Sequence, residues 1–165
     1  MKLLIVQKRT QSLEAILHKA KEKLQLLYKN VEFIIWNDPK MQITKADIAK
    51  IEPDLLLTWN LAGFEQSTLT GGLAYNLLDC KQIHLLTREN LRDENCLSRQ
   101  LSIAMFFYCA GAEYFRRLQA EYPDIPYLKQ LNGWSLENTP TAVNGNADIL
   151  YNVILEVAGI CHIES

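Results

Sequence analysis

Four short apolar runs, separated by helix-like or polar stretches, constrain this chain more than any other feature. They are Leu3-Leu4-Ile5-Val6, VEFIIW from Val31 to Trp36, Leu55-Leu56-Leu57, and Ile83 with Leu85 and Leu86. Continuous apolar runs of this length suit parallel strands covered on both faces by helices. Between the first two, Leu13, Ile16, Leu17, Ala20, Leu24 and Leu27 recur at the spacing of one helix face. Strands are therefore expected at 3–6, 31–36, 54–58 and 82–86, with helices between them. Thr44, followed by Asp47 and flanked by Ile43 and Ile48, marks the start of the second helix through a capping-box and staple pattern. A third helix is expected over 68–78. This β-α-β-α-β-α-β alternation predicts a parallel sheet with right-handed crossovers.

The second half is harder to read. RENLRDENCLSRQ is polar, suiting a long loop or a helical turn. LSIAMFFYCAG is apolar throughout, so periodicity does not separate a central strand from a buried helix; dense aromatics and Gly111 favour a fifth strand over 102–109. Ala112 to Tyr122 reads as a helix stopped by Pro123. From there to residue 145 the chain reads as irregular, with Asn132-Gly133 and Asn144-Gly145 as turn signals. Asn146 is expected to cap a last helix whose packing face is Ile149, Leu150, Val153, Ile154, Val157 and Ile160. That face suits a core or a homodimer equally.

At 165 residues, with 48% hydrophobic and 22% charged residues and no linker, the chain reads as one globular domain. The net charge of −2 conceals an asymmetry: residues 1–50 carry ten Lys/Arg against five Asp/Glu, and the remainder seven against fourteen. The basic excess is largely one lysine-rich helix face, Lys19, Lys21 and Lys23 with Lys29 beyond it, which reads as solvated. A nucleic-acid binder would show a strongly basic domain with interleaved aromatics, so no nucleic-acid partner is expected. Cys80, Cys96, Cys109 and Cys161 form no C-x-x-C pair and no Cys/His cluster of metal-ligand spacing. No apolar run approaches the length of a membrane helix, and Leu3 to Val6 is too short for a secretion signal. These features imply a cytoplasmic protein with reduced thiols and no membrane partner.

The order of elements resembles a flavodoxin-like or Rossmann-like α/β domain: a three-layer sandwich around a mostly parallel sheet of four to five strands. The same order is seen in one half of the two-domain nucleotide-sugar glycosyltransferases, whose second domain this chain lacks. NLAGFE, TGG and AYN within residues 60–76 are similar to segments of small uncharacterised bacterial proteins. That resemblance implies a fold and no activity.

Candidate chemistry collects after the third strand. Asn60, Gly63, Glu65, Ser67, Thr68, Gly71 and Gly72 crowd polar atoms and bare backbone where open α/β sheets bind ligands. Gly71-Gly72 permits close approach of a ligand, with hydroxyls beside it suited to a phosphate or carboxylate; the alternative is a plain turn before a later helix. Asn60 reads as a crevice-facing amide or as a loop-fixing one. Glu65, the segment's lone carboxylate, is the weak candidate for a general base. Arg88, just past the fourth strand, is placed to pair with an anion, while Thr10 and Ser12 lie at the same edge. His84 reads as a core or subunit-facing histidine and Cys109 as a buried thiol. No phosphate-loop or dinucleotide fingerprint, nucleophile elbow or zinc motif occurs. The expected ligand is small and anionic, of nucleotide or sugar type. A protein-interaction or homodimerisation module, drawing on Phe106, Phe107, Tyr108, Tyr127 and Trp134, is the alternative.

Overall fold

The computed structural model describes residues 1–7, 13–37, 45–64, 72–89 and 91–164, with backbone alone at 37, 45 and 160–164. Among the described residues, six strands form one sheet: β1 (Lys2–Gln7), β2 (Glu32–Asn37), β3 (Leu55–Trp59), β4 (Lys81–Leu86), β5 (Met105–Ala110) and β6 (Leu128–Leu131). The α-helices described with them are α1 (Glu14–Leu24), α2 (Lys45–Ile51), α3 (Ala112–Glu121) and α4 (Pro140–Glu164). The strand order is β2-β1-β3-β4-β5-β6, and every neighbouring pair is parallel. Its first five strands follow the flavodoxin-like doubly wound order, which reverses direction between β1 and β3.

Alternation of side chains along each strand divides the interior into two cores. Leu3, Ile5, Leu55, Leu57, Ile83, Leu85, Phe106 and Tyr108 pack beneath α1 and α4. Leu4, Val6, Leu56, Leu86, Met105, Phe107 and Cys109 face the other way, beneath Ile48 of α2 and Tyr114 and Leu118 of α3. Both faces of the sheet are thus dry, as the unbroken apolar runs require.

The expected first, second, third and fourth strands are present within about one residue of their expected ends, and residues 105–110 settle as a strand rather than a buried helix. Three expectations need correction. First, no α-helix is found among the described residues of the expected third helix. Its described part is one tight 3₁₀ turn, Ala74–Leu77, and residues 68–71 lie outside the described set. Asn76 explains the arrest: its side chain donates to the Gln100 carbonyl at 2.8 Å and accepts from the Ser102 amide at 2.9 Å. A side chain spent on a neighbouring loop ties the segment down before a second turn forms.

Second, the expected irregular stretch contains β6, a sixth strand. Lys129 on β6 bonds Glu156 of α4 at 2.7 Å, and Tyr127 donates to the same oxygen at 2.7 Å, which fastens the strand to the helix above it. Third, the last helix begins at Pro140, not after Asn146. Thr139 acts as the cap, its hydroxyl accepting the Ala142 amide at 3.1 Å, with proline at the first helical position, where a missing N–H costs nothing. Asn144-Gly145 is therefore helical. Asn146, 2% exposed, accepts from the Ser135 amide at 2.9 Å and donates to its carbonyl at 2.7 Å, holding the β6–α4 connection rather than capping. The apolar stripe of α4 is spent on the core: Leu150, Val153, Ile154 and Val157 are buried. Phe106, Phe107 and Tyr108, read as a source of surface aromatics, are buried too. Among the described residues, no helix is long and apolar enough to cross a membrane. The capping pattern at Thr44 and the Ile43 side of the staple lie outside the described set; Ile48 is buried.

Candidate functional site

Strand order reverses between β1 and β3, and in open α/β sheets ligands bind beyond the carboxyl ends of the strands at such a reversal, here past Gln7 and Trp59. The chain leaves β3 through an unusual backbone. Asn60 has φ 51°, Leu61 φ 60° and Gly63 φ 82°, all left-handed. Asparagine and glycine adopt this region readily, but a leucine there costs about 1–2 kcal/mol. Leu61 is fully buried, and burying such a side chain returns about 1.5–3 kcal/mol. The strained turn is what tucks Leu61, Ala62 and Phe64 under the sheet's edge.

Asn60 locks that turn. Its amide donates to the Leu85 carbonyl at 2.8 Å. Its side-chain oxygen accepts the Thr87 amide at 2.8 Å, and its side-chain nitrogen donates to the Thr87 hydroxyl at 3.2 Å. Of the two readings of Asn60, the loop-fixing one therefore describes the structure: the side chain clasps the end of β3 to the end of β4. Arg88, exposed, follows immediately after the clasp.

Beneath the clasp runs a buried chain of hydrogen bonds. Tyr75 donates its hydroxyl to the Ala62 carbonyl at 3.0 Å, and the Gln82 amide nitrogen donates to the Tyr75 carbonyl at 2.7 Å. With its nitrogen so engaged, Gln82 turns its oxygen to His84 Nε2, 3.0 Å away. His84 consequently carries its proton on Nε2, and Nδ1 accepts from the Thr58 hydroxyl at 2.5 Å. Phe64 stands edge-on to His84 at 4.6 Å and to Tyr75 at 5.5 Å, and Phe107 lies 5.0 Å from the imidazole. Complete burial lowers the His84 pKa to about 3, so the ring is neutral. It is a core histidine, as one of its two sequence readings held, and its role is to tie β3, β4 and the Ala62–Tyr75 contact into one unit. That contact joins the two ends of the 65–71 segment.

The remaining candidates fall into two groups. Gly63 is buried within the turn and Gly72 is exposed on the far side of the segment. Glu65, Ser67, Thr68 and Gly71, with Thr10 and Ser12, lie outside the described residues. Cys109 is buried, and that burial, with Glu89 nearby, pushes its thiol up to about 12, which leaves no thiolate to act as a nucleophile. Sequence reasoning missed Thr87 and Leu61. A threonine straight after a strand is a weak signal, and nothing in a leucine's identity announces a left-handed backbone. It also missed Glu94, 8% exposed, whose carboxylate takes a two-pronged ion pair from Arg117 at 2.7 and 3.0 Å. That pair fastens the 91–98 segment to α3.

A concavity lies at the opposite, amino-terminal edge of the sheet. This open groove of about 510 Å³ is lined by Ile48, Leu77 and Leu78 together with the exposed carboxylates of Glu52, Asp54 and Asp79. Three acidic groups make it unsuited to an anion. Among the described residues, no group of three His, Cys, Asp or Glu side chains is placed to hold a metal ion.

No protein-family model matches the chain, and no curated protein matches it. Solved structures do. One is a cysteine-to-alanine mutant of flavodoxin from Pseudomonas aeruginosa, at 13% identity and a TM-score of 0.40, covering 95% of this chain and 98% of that one. The fold assignment rests on the strand order and parallel register described above.

Proposed function

We propose that this protein binds a small anionic ligand of nucleotide or sugar-phosphate type at the carboxyl edge of its sheet, over the reversal between β1 and β3. One observation carries the reading: the chain stores backbone strain at that edge, in Leu61, and holds the turn with the Asn60–Thr87 clasp and the buried Tyr75–Gln82–His84–Thr58 chain. Left-handed residues that the surroundings over-determine are concentrated at ligand sites, where rigidity reduces the ordering cost of binding. On this reading Asn60 is a positioning residue. The contacts come from backbone amides around Gly63, Gly71 and Gly72, from the hydroxyls of Ser67 and Thr68, and from the Arg88 guanidinium. Glu65, the sole carboxylate of the segment, is the group to which we assign proton transfer should turnover accompany binding. The scattered cysteines, with no C-x-x-C pair, support a reducing, cytoplasmic setting.

Thermal melting against nucleotides, sugar phosphates and inorganic anions tests this reading. A ligand-dependent rise in Tm that is lost in Gly72→Leu and weakened in Arg88→Glu supports it. An absence of any shift across the panel, or a shift untouched by both substitutions, refutes it.

A further inference from the structure

The two edges of the sheet are built differently. β6 is four residues long with exposed Lys129 at its second position, and short, charged edges resist strand addition. β2 runs for six residues, EFIIWN, with no lysine, proline or glycine. It pairs with β1 alone, so along its other side no strand meets its backbone N–H and C=O groups among the described residues. Ile35 is 39% exposed at its centre, and Phe33, Ile34 and Trp36 are partly exposed around it.

We propose that the outer edge of β2 is a homodimer interface, pairing antiparallel with β2 of a second copy across a two-fold axis normal to the sheet. Such an axis keeps each face of the sheet on its own side. A register centred on Ile34 then sets Phe33 opposite the partner's Ile35, an aromatic against a β-branched side chain, on the α1 side of the joined sheet. Charge supplies the argument for a second copy rather than another strand. α1 covers this side with Ile16, Leu17, Ala20 and Leu24 facing inward. Lys23 pairs with Asp148 and so marks the flank turned to α4. Helical spacing puts Glu14 and Lys21 on the opposite flank, above β2. The two-fold axis lays α1 antiparallel to its copy, so Glu14 in the first turn meets the partner's Lys21 in the last, and the match occurs twice. The contact is self-complementary and closes at two chains. It is independent of the ligand site.

Sedimentation equilibrium of the full chain over a micromolar concentration series tests the interface. The expected result is a reversible species of twice the 18.9 kDa chain mass. Ile35→Lys should be monomeric with an unchanged circular dichroism spectrum. Glu14→Lys should weaken the dimer by roughly tenfold, replacing two attractions by two repulsions, and Glu14→Lys with Lys21→Glu should restore it. The charge swaps lie outside the core, so they remain informative if Ile35→Lys fails to fold. A monomer at every concentration, an open-ended series of larger species, or a dimer indifferent to Ile35→Lys and Glu14→Lys would each overturn the proposal.

Discussion

Acidification should expose what the structure does with His84. The ring is fully buried, its Nε2–H is given to Gln82, and its Nδ1 accepts from Thr58. Charging it in place is opposed by burial, which lowers its pKa from 6.5 to about 3. Unfolding releases the ring to water, where it takes a proton at ordinary acidity. Between pH 6.5 and about 3 the unfolded state therefore binds the extra proton, and stability rises with pH across that window. The contribution is complete above the unfolded value and is lost progressively on acidification. At about 1.4 kcal/mol per unit, the whole window corresponds to about 5 kcal/mol, and acidification to about pH 4.5 removes about half of it. Urea midpoints of the wild type and His84→Gln, measured from neutral pH downward, isolate the effect. Glutamine keeps a donor and an acceptor but does not titrate. At neutral pH the variant should be less stable by about 1–3 kcal/mol, through lost ring packing and imperfect hydrogen bonds. By about pH 4.5 the wild type should have lost about 2–3 kcal/mol more than the variant, so that the two curves converge. Carboxylates such as Glu156, held below the usual range by Lys129 and Tyr127 against the effect of burial, titrate in both proteins and cancel in the difference. A stability gap that stays constant from neutral to acid pH would refute the reasoning.

Three other outcomes follow from named contacts. Asn60→Ala removes the Thr87 clasp and places a Cβ residue without asparagine's tolerance at φ 51°; it should cost about 2–3 kcal/mol in urea unfolding, whereas Asn60→Gly, which keeps the backbone freedom, should cost about 1 kcal/mol less. Arg117→Ala leaves the Glu94 carboxylate buried without its two-pronged partner, and should cost about 1.5–3 kcal/mol by the same measurement, a range set low because Arg117 is partly exposed. Thr139→Ala should lower stability by about 1 kcal/mol and fray the first turn of α4, visible as faster amide exchange at Ala142 and Val143.

How much of this was legible in the sequence follows from where the apolar residues fall. β1 and β3 are dry on both faces, so their apolar runs are unbroken and announce themselves, and the run of β4 from Ile83 to Leu86 is interrupted only by buried His84. β6 carries Lys129 and Gln130 in a four-residue edge strand whose lysine bonds the helix-borne Glu156, and no local pattern distinguishes it from a loop. The start of α4 was hidden for the opposite reason. Asn144-Gly145 has the composition of a turn, yet a capped helix that begins at Pro140 carries it through, with Asn146 serving a distant loop. The expected third helix failed because Asn76 has tertiary partners that propensity cannot see. At the candidate site, chain position indicated which edge to examine. It did not indicate the clasp, since Asn60 and Thr87 are 27 residues apart and meet only when β3 and β4 pair.

Amide chemical shifts that map the contact surface of a bound anion test directly whether the carboxyl edge of the sheet is the binding site. The two edges of the sheet offer rival sites with separate residues. Shifts are expected at 60–64, Gly72, Thr87 and Arg88, saturating together as inorganic phosphate or a nucleotide is added. Shifts confined to the acidic groove, at Ile48, Glu52, Asp54, Leu77 and Asp79, with the carboxyl edge unmoved, would contradict it.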